Sequence, residues 1–173
     1  MDTILFYSFA VIVVLRLTSV WVSKKHEKAL RANNAVEHGA KNTKALALIH
    51  TLFYFASFFE GYYSSVQLSS ISLIGFGVYV FSMLMLVYVI YSLKSMWTVK
   101  LFISPKQMIV KNLVFKHIKH PNYFLNIIPE LIGVALIFQS LYSFVIIFPI
   151  YVFSLGLRIK QENAIMKQTF SDY

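Results

Sequence analysis

The chain has 173 residues, of which 58% are hydrophobic and 13% charged, with no cysteine. A soluble domain carries about 25% charged residues, so this composition, with a mean hydropathy of +0.65, excludes disorder, a disulfide scaffold and a water-soluble enzyme. The 16 Lys+Arg against 7 Asp+Glu (net +9) lie between apolar runs, which makes anionic lipid the expected partner and excludes nucleic acid.

A membrane-crossing helix needs about 20 mainly apolar residues. Thr3 to Val22 is the first such run, broken only by Arg16. It has no basic start and no small-residue cleavage site, so it reads as a retained helix and not as a signal peptide. Ala45 to Tyr63 is the second, containing His50 and Glu60, and Ile71 to Leu93 is the third, without charge. Tyr123 to Leu157 is a run of 35 residues whose only charge is Glu130. It is too long for one helix, and Gln139-Ser140 offers a polar turn. The division into Tyr123–Phe138 and Leu141–Leu157 gives a short hairpin, each arm about 24–26 Å long at 1.5 Å per residue. The expected fold class is an all-α, polytopic integral membrane protein of about five transmembrane helices ending in a helical hairpin. It forms one domain over 1–173, with N-terminal spans in 1–91 and the chemistry-bearing part in 92–173.

Basic residues fit this division. Of the 16, all but Arg16 fall in 23–44, in 94–122 or after Leu157. The N-terminus and the connections near Gln67 and Ser140 carry none. The positive-inside rule then puts the N-terminus outside and the C-terminus in the cytoplasm of a multi-pass cell-membrane protein.

Two polar stretches remain. Lys24 to Gly39 is mostly helix-forming, with Glu27 four residues before Arg31, a favourable helical pair. Lys94 to Asn122 is a loop of 29 residues, and loops of that length are usually functional. It ends in Lys119-His120-Pro121-Asn122-Tyr123. Pro121 biases His120 away from helix and suits a first turn. Beyond the hairpin, Arg158 and Glu162 stand four apart on one helical face. A two-span hairpin returns the chain to the same side, so both motifs are expected at one cytoplasmic mouth. A charge cluster touching headgroups is the plain alternative. His117 and His120 are three apart but no carboxylate cluster joins them, so no metal is expected. Neither G-x-G-x-x-G, a P-loop nor G-x-S-x-G occurs.

The pairing of K-H-P-N-Y with R-I-K-Q-E-N across a short hairpin, followed by Phe170 and Tyr173, resembles the isoprenylcysteine carboxyl methyltransferase family. That family has R-H-P-x-Y, a hairpin, R-x-x-x-E-E and an F-x-x-Y-like tail. The resemblance covers roughly Ser92 to Tyr173. The strings HPNYFLNIIPELIG and EKALRANNAVEHG are similar to a bacterial branch associated with type III polyketide synthases and O-methylation of alkylpyrones. Lys119 replaces the usual Arg, Asn163 the second Glu, and Asn112 to Phe115 the usual Gly-containing turn.

The resemblance implies a membrane enzyme that uses S-adenosyl-L-methionine and takes its lipophilic acceptor from the bilayer, with a polyketide synthase as a pathway partner. The family's cofactor contacts fall on His120, Pro121, Asn122, Tyr123 and Glu162, and further on Lys100, Gln107, Met108, Ile109, Val110 and Phe115. Arg158 aligns with the arginine that faces the acceptor. These residue types suit the task. Glu162 can pair with the cofactor's ammonium or ribose hydroxyls, His120 at a helix entrance with its carboxylate, and Tyr123 and Phe115 with its adenine. A carboxylate or acidic enol is already anionic, so alignment is the main work. Arg158 offers a forked donor pair that Lys does not reproduce.

Arg16, His50, Glu60 and Glu130 lie at or near bilayer depth, where polar groups are costly. Glu130, about two turns below Tyr123, either lines the lipid-substrate tunnel or bonds to Arg16. His50 and Glu60 read as structural. Two rival functions stand beside methyl transfer to oxygen. One is a phospholipid N-methyltransferase, which has no obvious use for Arg158. The other is a small scaffold or transport protein, although transport asks for polar residues through several spans.

Overall fold

The computed structural model describes residues 1–103 and 113–169. Helices dominate: α1 (Thr3–Ala32), α2 (Ala40–Tyr63), α3 (Ser70–Leu93), a 3-10 turn (Lys94–Met96), the short α4 (Leu113–His117), a π-helical stretch (Asn122–Ile127), α5 (Ile128–Phe138) and α6 (Leu141–Thr169). Two three-residue strands, β1 (Val36–His38) and β2 (Leu101–Ile103), pair antiparallel with Glu37 opposite Phe102.

Each apolar run of the sequence becomes a helix for the expected reason. Unbroken Leu, Ile, Val and Phe satisfy the backbone internally and turn apolar side chains outward. Leu73, Leu84, Val87, Ile146 and Phe153 are exposed, as in a protein solvated by lipid. Three helices, α1, α3 with its 3-10 extension, and α6, are long and apolar enough to cross a membrane. The protein is a multi-pass membrane protein. α5 and the π-helical stretch pack on α3, and α2 packs on α5 and α6.

One end of the bundle is tied by polar bonds near the turns. Asp2 N–H donates to the Val66 carbonyl at 2.9 Å. Gln139, in the left-handed conformation at the hairpin turn, donates to the Gln67 carbonyl at 3.1 Å and to Ser69 at 2.9 Å. Glu60 accepts from the Tyr142 and Ser143 amides at 2.9 and 2.7 Å. It thus caps α6, whose first N–H groups have no partner of their own. The lysine-rich segments gather at the opposite end.

α3 and α5 cross closely because both carry glycine there. A Cβ on Gly75 would stand 2.5 Å from the Ile137 nitrogen, and one on Gly133 would stand 2.9 Å from the Tyr79 nitrogen. Leu131, Val134, Ile137 and Phe138 of α5 are fully buried or nearly so, making α5 the core helix.

The polar segments differ from their reading as a surface helix and a loop. α1 continues through Lys24 to Ala32, then turns at Asn33-Asn34, where Asn34 takes φ +59°, and enters β1. The expected Glu27–Arg31 pair does not form. Arg31 instead pairs with Glu37 and stacks on Phe102 at 4.9 Å, while Glu27 takes Lys100 at 2.8 Å. Strand pairing supplies these partners, and a helix-only reading of Lys24–Gly39 cannot foresee them.

Candidate functional site

The π-helical stretch sets the first half of the site. Pro129 has no N–H and its ring crowds the preceding turn, so the chain ahead of it departs from α geometry. Pro121 opens the stretch, with His120 just outside and Tyr123 just inside. α6 sets the second half, running past Leu157 to present Arg158, Glu162 and Asn163.

The structure brings these two halves together. Tyr123 Oη donates to Glu162 Oε2 at 2.6 Å. His120 Nδ1 lies 3.4 Å from Glu162 Oε1, and its Nε2 lies 3.1 Å from Asn163 Oδ1. The His120 and Tyr123 rings stack at 5.5 Å. Burial alone would raise the pKa of Glu162, which lies beyond the apolar part of α6. Hydrogen bonds from His120 and Tyr123, with the charges of His120 and Arg158, outweigh it and hold the pKa below the usual carboxylate range.

Arg158 is 3% exposed. Its Nη1 donates to Thr43 Oγ1 at 2.6 Å, its Nη2 to the Val99 carbonyl at 3.4 Å, and its Nε to Tyr123 Oη at 3.4 Å. All three partners are neutral oxygens, and among the described residues Arg158 forms no ion pair. Its nearest carboxylate, Glu162, is reached only through the shared Tyr123 hydroxyl, and the guanidinium lines a cavity. That cavity has a volume of about 550 Å³, and its wall includes Lys100, Phe115, His120, Pro121, Asn122, Tyr123, Arg158 and Glu162.

The remaining sequence candidates are placed as follows. The Lys100 ammonium is held by Glu27 at 2.8 Å and Glu37 at 3.7 Å, so it ties β2 to α1 and β1. Asn122 accepts from Asn126 Nδ2 at 3.2 Å. Phe115 packs with Trp97. Glu130 is absent from the cavity wall. It is fully buried behind it, accepting from Tyr54 Oη and from Arg16 Nη1 at 3.3 Å. Gln107, Met108, Ile109 and Val110, and the tail residues Phe170 and Tyr173, lie outside the described residues.

Sequence reasoning missed four contributors. Thr43 and the Val99 carbonyl bind Arg158, and Asn163 meets His120. Trp97 lines the cavity with a buried indole N–H that has no hydrogen-bond partner among the described residues. Only Asn163 carried a signal, as the neighbour of Glu162.

The family match falls on this arrangement: the isoprenylcysteine carboxyl methyltransferase (ICMT) family matches residues 73–168. This span runs from α3 through the π-helical stretch to Glu162 and Asn163, holding both halves of the site. The chain belongs to the ICMT family. An uncharacterized protein of Haemophilus influenzae is 44% identical to this ICMT-family chain, over 94% of it and 95% of the relative. The uncharacterized protein YpbQ of Bacillus subtilis is 27% identical over 92% of the chain and 94% of its own length. No solved structure matches the chain. ICMT membership together with the apolar helices makes this a membrane protein of methyltransferase type. Fold, family and cavity meet in one place, where residues 73–168 contribute most of the polar wall.

Proposed function

We propose that this protein is an S-adenosylmethionine-dependent methyltransferase that methylates an acidic oxygen of a lipophilic acceptor. The observation that carries the reading is Arg158, a buried cation bonded among the described residues only to neutral oxygens in the wall of a cavity it shares with Glu162. An anionic oxygen of an acceptor supplies the direct ion-pair partner that Glu162, one hydroxyl away, does not.

The donor set suits the cofactor. Glu162 offers a carboxylate for an ammonium or ribose hydroxyls, the Trp97 N–H, without a partner among the described residues, offers a donor, and Phe115 and Tyr123 offer aromatic faces. The cavity volume is within the range of small-molecule sites. S-adenosylmethionine supplies an electrophilic methyl group on a sulfonium; a new O–CH3 bond replaces the S–CH3 bond, and no base is needed for an acceptor that is already anionic. The chain's own work is positioning. Arg158 orients the acceptor oxygen, and Thr43, Val99 and Tyr123 hold the guanidinium in place. A nucleophilic amine gains nothing from a neighbouring cation, so in N-methylation of a phospholipid Arg158 would serve only the phosphate and not the reacting atom.

The acceptor we propose first is an alkylpyrone-type polyketide, from the similarity of HPNYFLNIIPELIG and EKALRANNAVEHG to that bacterial branch. An isoprenoid or prenyl-thioether carboxylate is second. The basic end then faces the cytoplasm, where the cofactor is made, and the acceptor enters from the bilayer. Equilibrium binding of S-adenosylmethionine to the purified protein tests the reading. Glu162→Ala and His120→Ala each remove a charge-assisted contact of about 1.5–3 kcal/mol, equal to about 10- to 150-fold in affinity. Unchanged binding in both variants contradicts the assignment.

A further inference from the structure

The cavity has a second polar level. Three elements each carry two polar residues seven apart: Thr43 and His50 on α2, Tyr123 and Glu130 along the π-helical stretch and α5, and Tyr151 and Arg158 on α6. Seven helical residues rise about 10.5 Å. α2 and α6 run antiparallel, with Thr43 bonded to Arg158 at 2.6 Å and the His50 and Tyr151 rings 5.6 Å apart. The upper level is the site described above. The lower one, about two turns away, holds His50, Tyr54, Tyr151 and Arg16, all of which line the same cavity.

The structural demands of this lower level are met by Glu130, which binds Tyr54 Oη and Arg16 Nη1 and stands 3.8 Å from His50 Nε2. Some polar capacity is left over. Glu130 is 0% exposed, whereas the Arg16 side chain, which lines the cavity, is 19% exposed. A guanidinium has five N–H donors, and one nitrogen is engaged with Glu130. His50 Nδ1 is buried and has no hydrogen-bond partner among the described residues. A plain hydrocarbon chain laid against this level would leave donors unpaired at low dielectric.

We infer that the lower level is a second recognition site for the methyl acceptor, taking a carbonyl-type oxygen on the tail side of the oxygen that is methylated. The inference rests on the proposed methyltransferase reading and narrows its substrate class. The acceptor is an amphiphile with two oxygen functions, one at Arg158 and one at Arg16 and His50. The two oxygens of a hydroxypyrone ring are too close together to reach both levels, and a simple isoprenoid carboxylate has no second oxygen function, so the second oxygen is carried along the acceptor's chain.

The test is binding, so it does not depend on turnover. The probes are stearic acid and a series of oxo-stearic acids with one ketone stepped along the chain. All offer the same carboxylate to Arg158 and differ only in what they offer the lower level. With the full-length protein in nanodiscs, at least one ketone position should bind about tenfold or more tightly than stearate, the scale of one hydrogen bond to a charged group. The paired exchange Arg16→Met with Glu130→Gln removes both charges together and should abolish that advantage, leaving S-adenosylmethionine affinity unchanged. Tyr151→Phe with His50→Phe, which keeps the ion pair, serves if the first variant does not fold, and should reduce the advantage. A ketone series no tighter than stearate, or an advantage that survives both variants, overturns the inference. Absent S-adenosylmethionine binding in the parent protein, with the ketone preference intact, instead overturns the methyltransferase reading.

Discussion

Arg158 and Glu162 are one helical turn apart on α6, yet their surroundings differ. Glu162 keeps 24% of its side chain exposed and is held by Tyr123 and His120, an arrangement open to a polar cofactor. Arg158 is enclosed and bonded inward to Thr43 and Val99. A headgroup-touching arginine snorkels outward, and this one does not. Arg158→Lys keeps the charge but loses the planar fork that reaches three oxygens. It should bind S-adenosylmethionine near normally while methyl transfer falls about 100-fold or more, on the scale of a lost transition-state contact of about 2.7–4 kcal/mol. Near-normal turnover would make the fork irrelevant. Glu162 gives a pH signature with a definite sign. Its pKa is held down in the fold, so its contribution to stability is present above the ordinary carboxylate range and is lost as pH falls through the lowered value. Thermal unfolding across that acid range should show the loss, and Glu162→Gln should flatten it.

At the scale of elements, the sequence shows clearly where helices lie and poorly what joins them. Ala45–Tyr63 and Ile71–Leu93 match α2 and α3 to within a few residues at their first ends, because uninterrupted apolar runs leave a lipid-exposed backbone no other form. The motif K-H-P-N-Y also marked its helix entrance correctly, since Pro121 dictates local geometry. The strand pair was not legible: three residues of Val-Glu-His carry no strand signal until Leu101–Ile103 lies beside them. Lys100 as a cofactor contact came from the family resemblance, and the fold adds Glu27 and Glu37 next to it while keeping it in the cavity wall. The α3–α5 crossing yields a prediction of its own. Gly75→Ala inserts a methyl group 2.5 Å from backbone and should cost about 1–3 kcal/mol by overpacking, read as a lower unfolding temperature. Gly77→Ala, whose Cβ meets nothing within 4 Å, should leave it unchanged or slightly raised. Equal effects would mean that the crossing is looser than described.

At the scale of the whole molecule, the bundle separates its charges. Asp2, Glu60 and Gln139 tie one end, lysines crowd the other, and Arg16 alone among the basic residues sits within an apolar run, neutralised by Glu130. The orientation proposed from this asymmetry predicts that single cysteines at Lys25 and Lys106 are shielded from an impermeant thiol reagent in intact cells, whereas one at Gln67 is labelled. External labelling at 106 would separate the site from the compartment that makes the cofactor. The cavity runs from Glu162 and Arg158 to Arg16 and His50, and in the proposed reading it brings a polar donor and a lipid-soluble acceptor to one arginine. The most direct test incubates membranes containing the protein with lipid extract and S-adenosylmethionine labelled in its methyl group, followed by mass spectrometry of the organic phase. The account predicts a labelled O-methyl lipid that is present with the parent protein and lost with Arg158→Met. No labelled lipid above the level seen with that variant, or a label found on nitrogen, would contradict it.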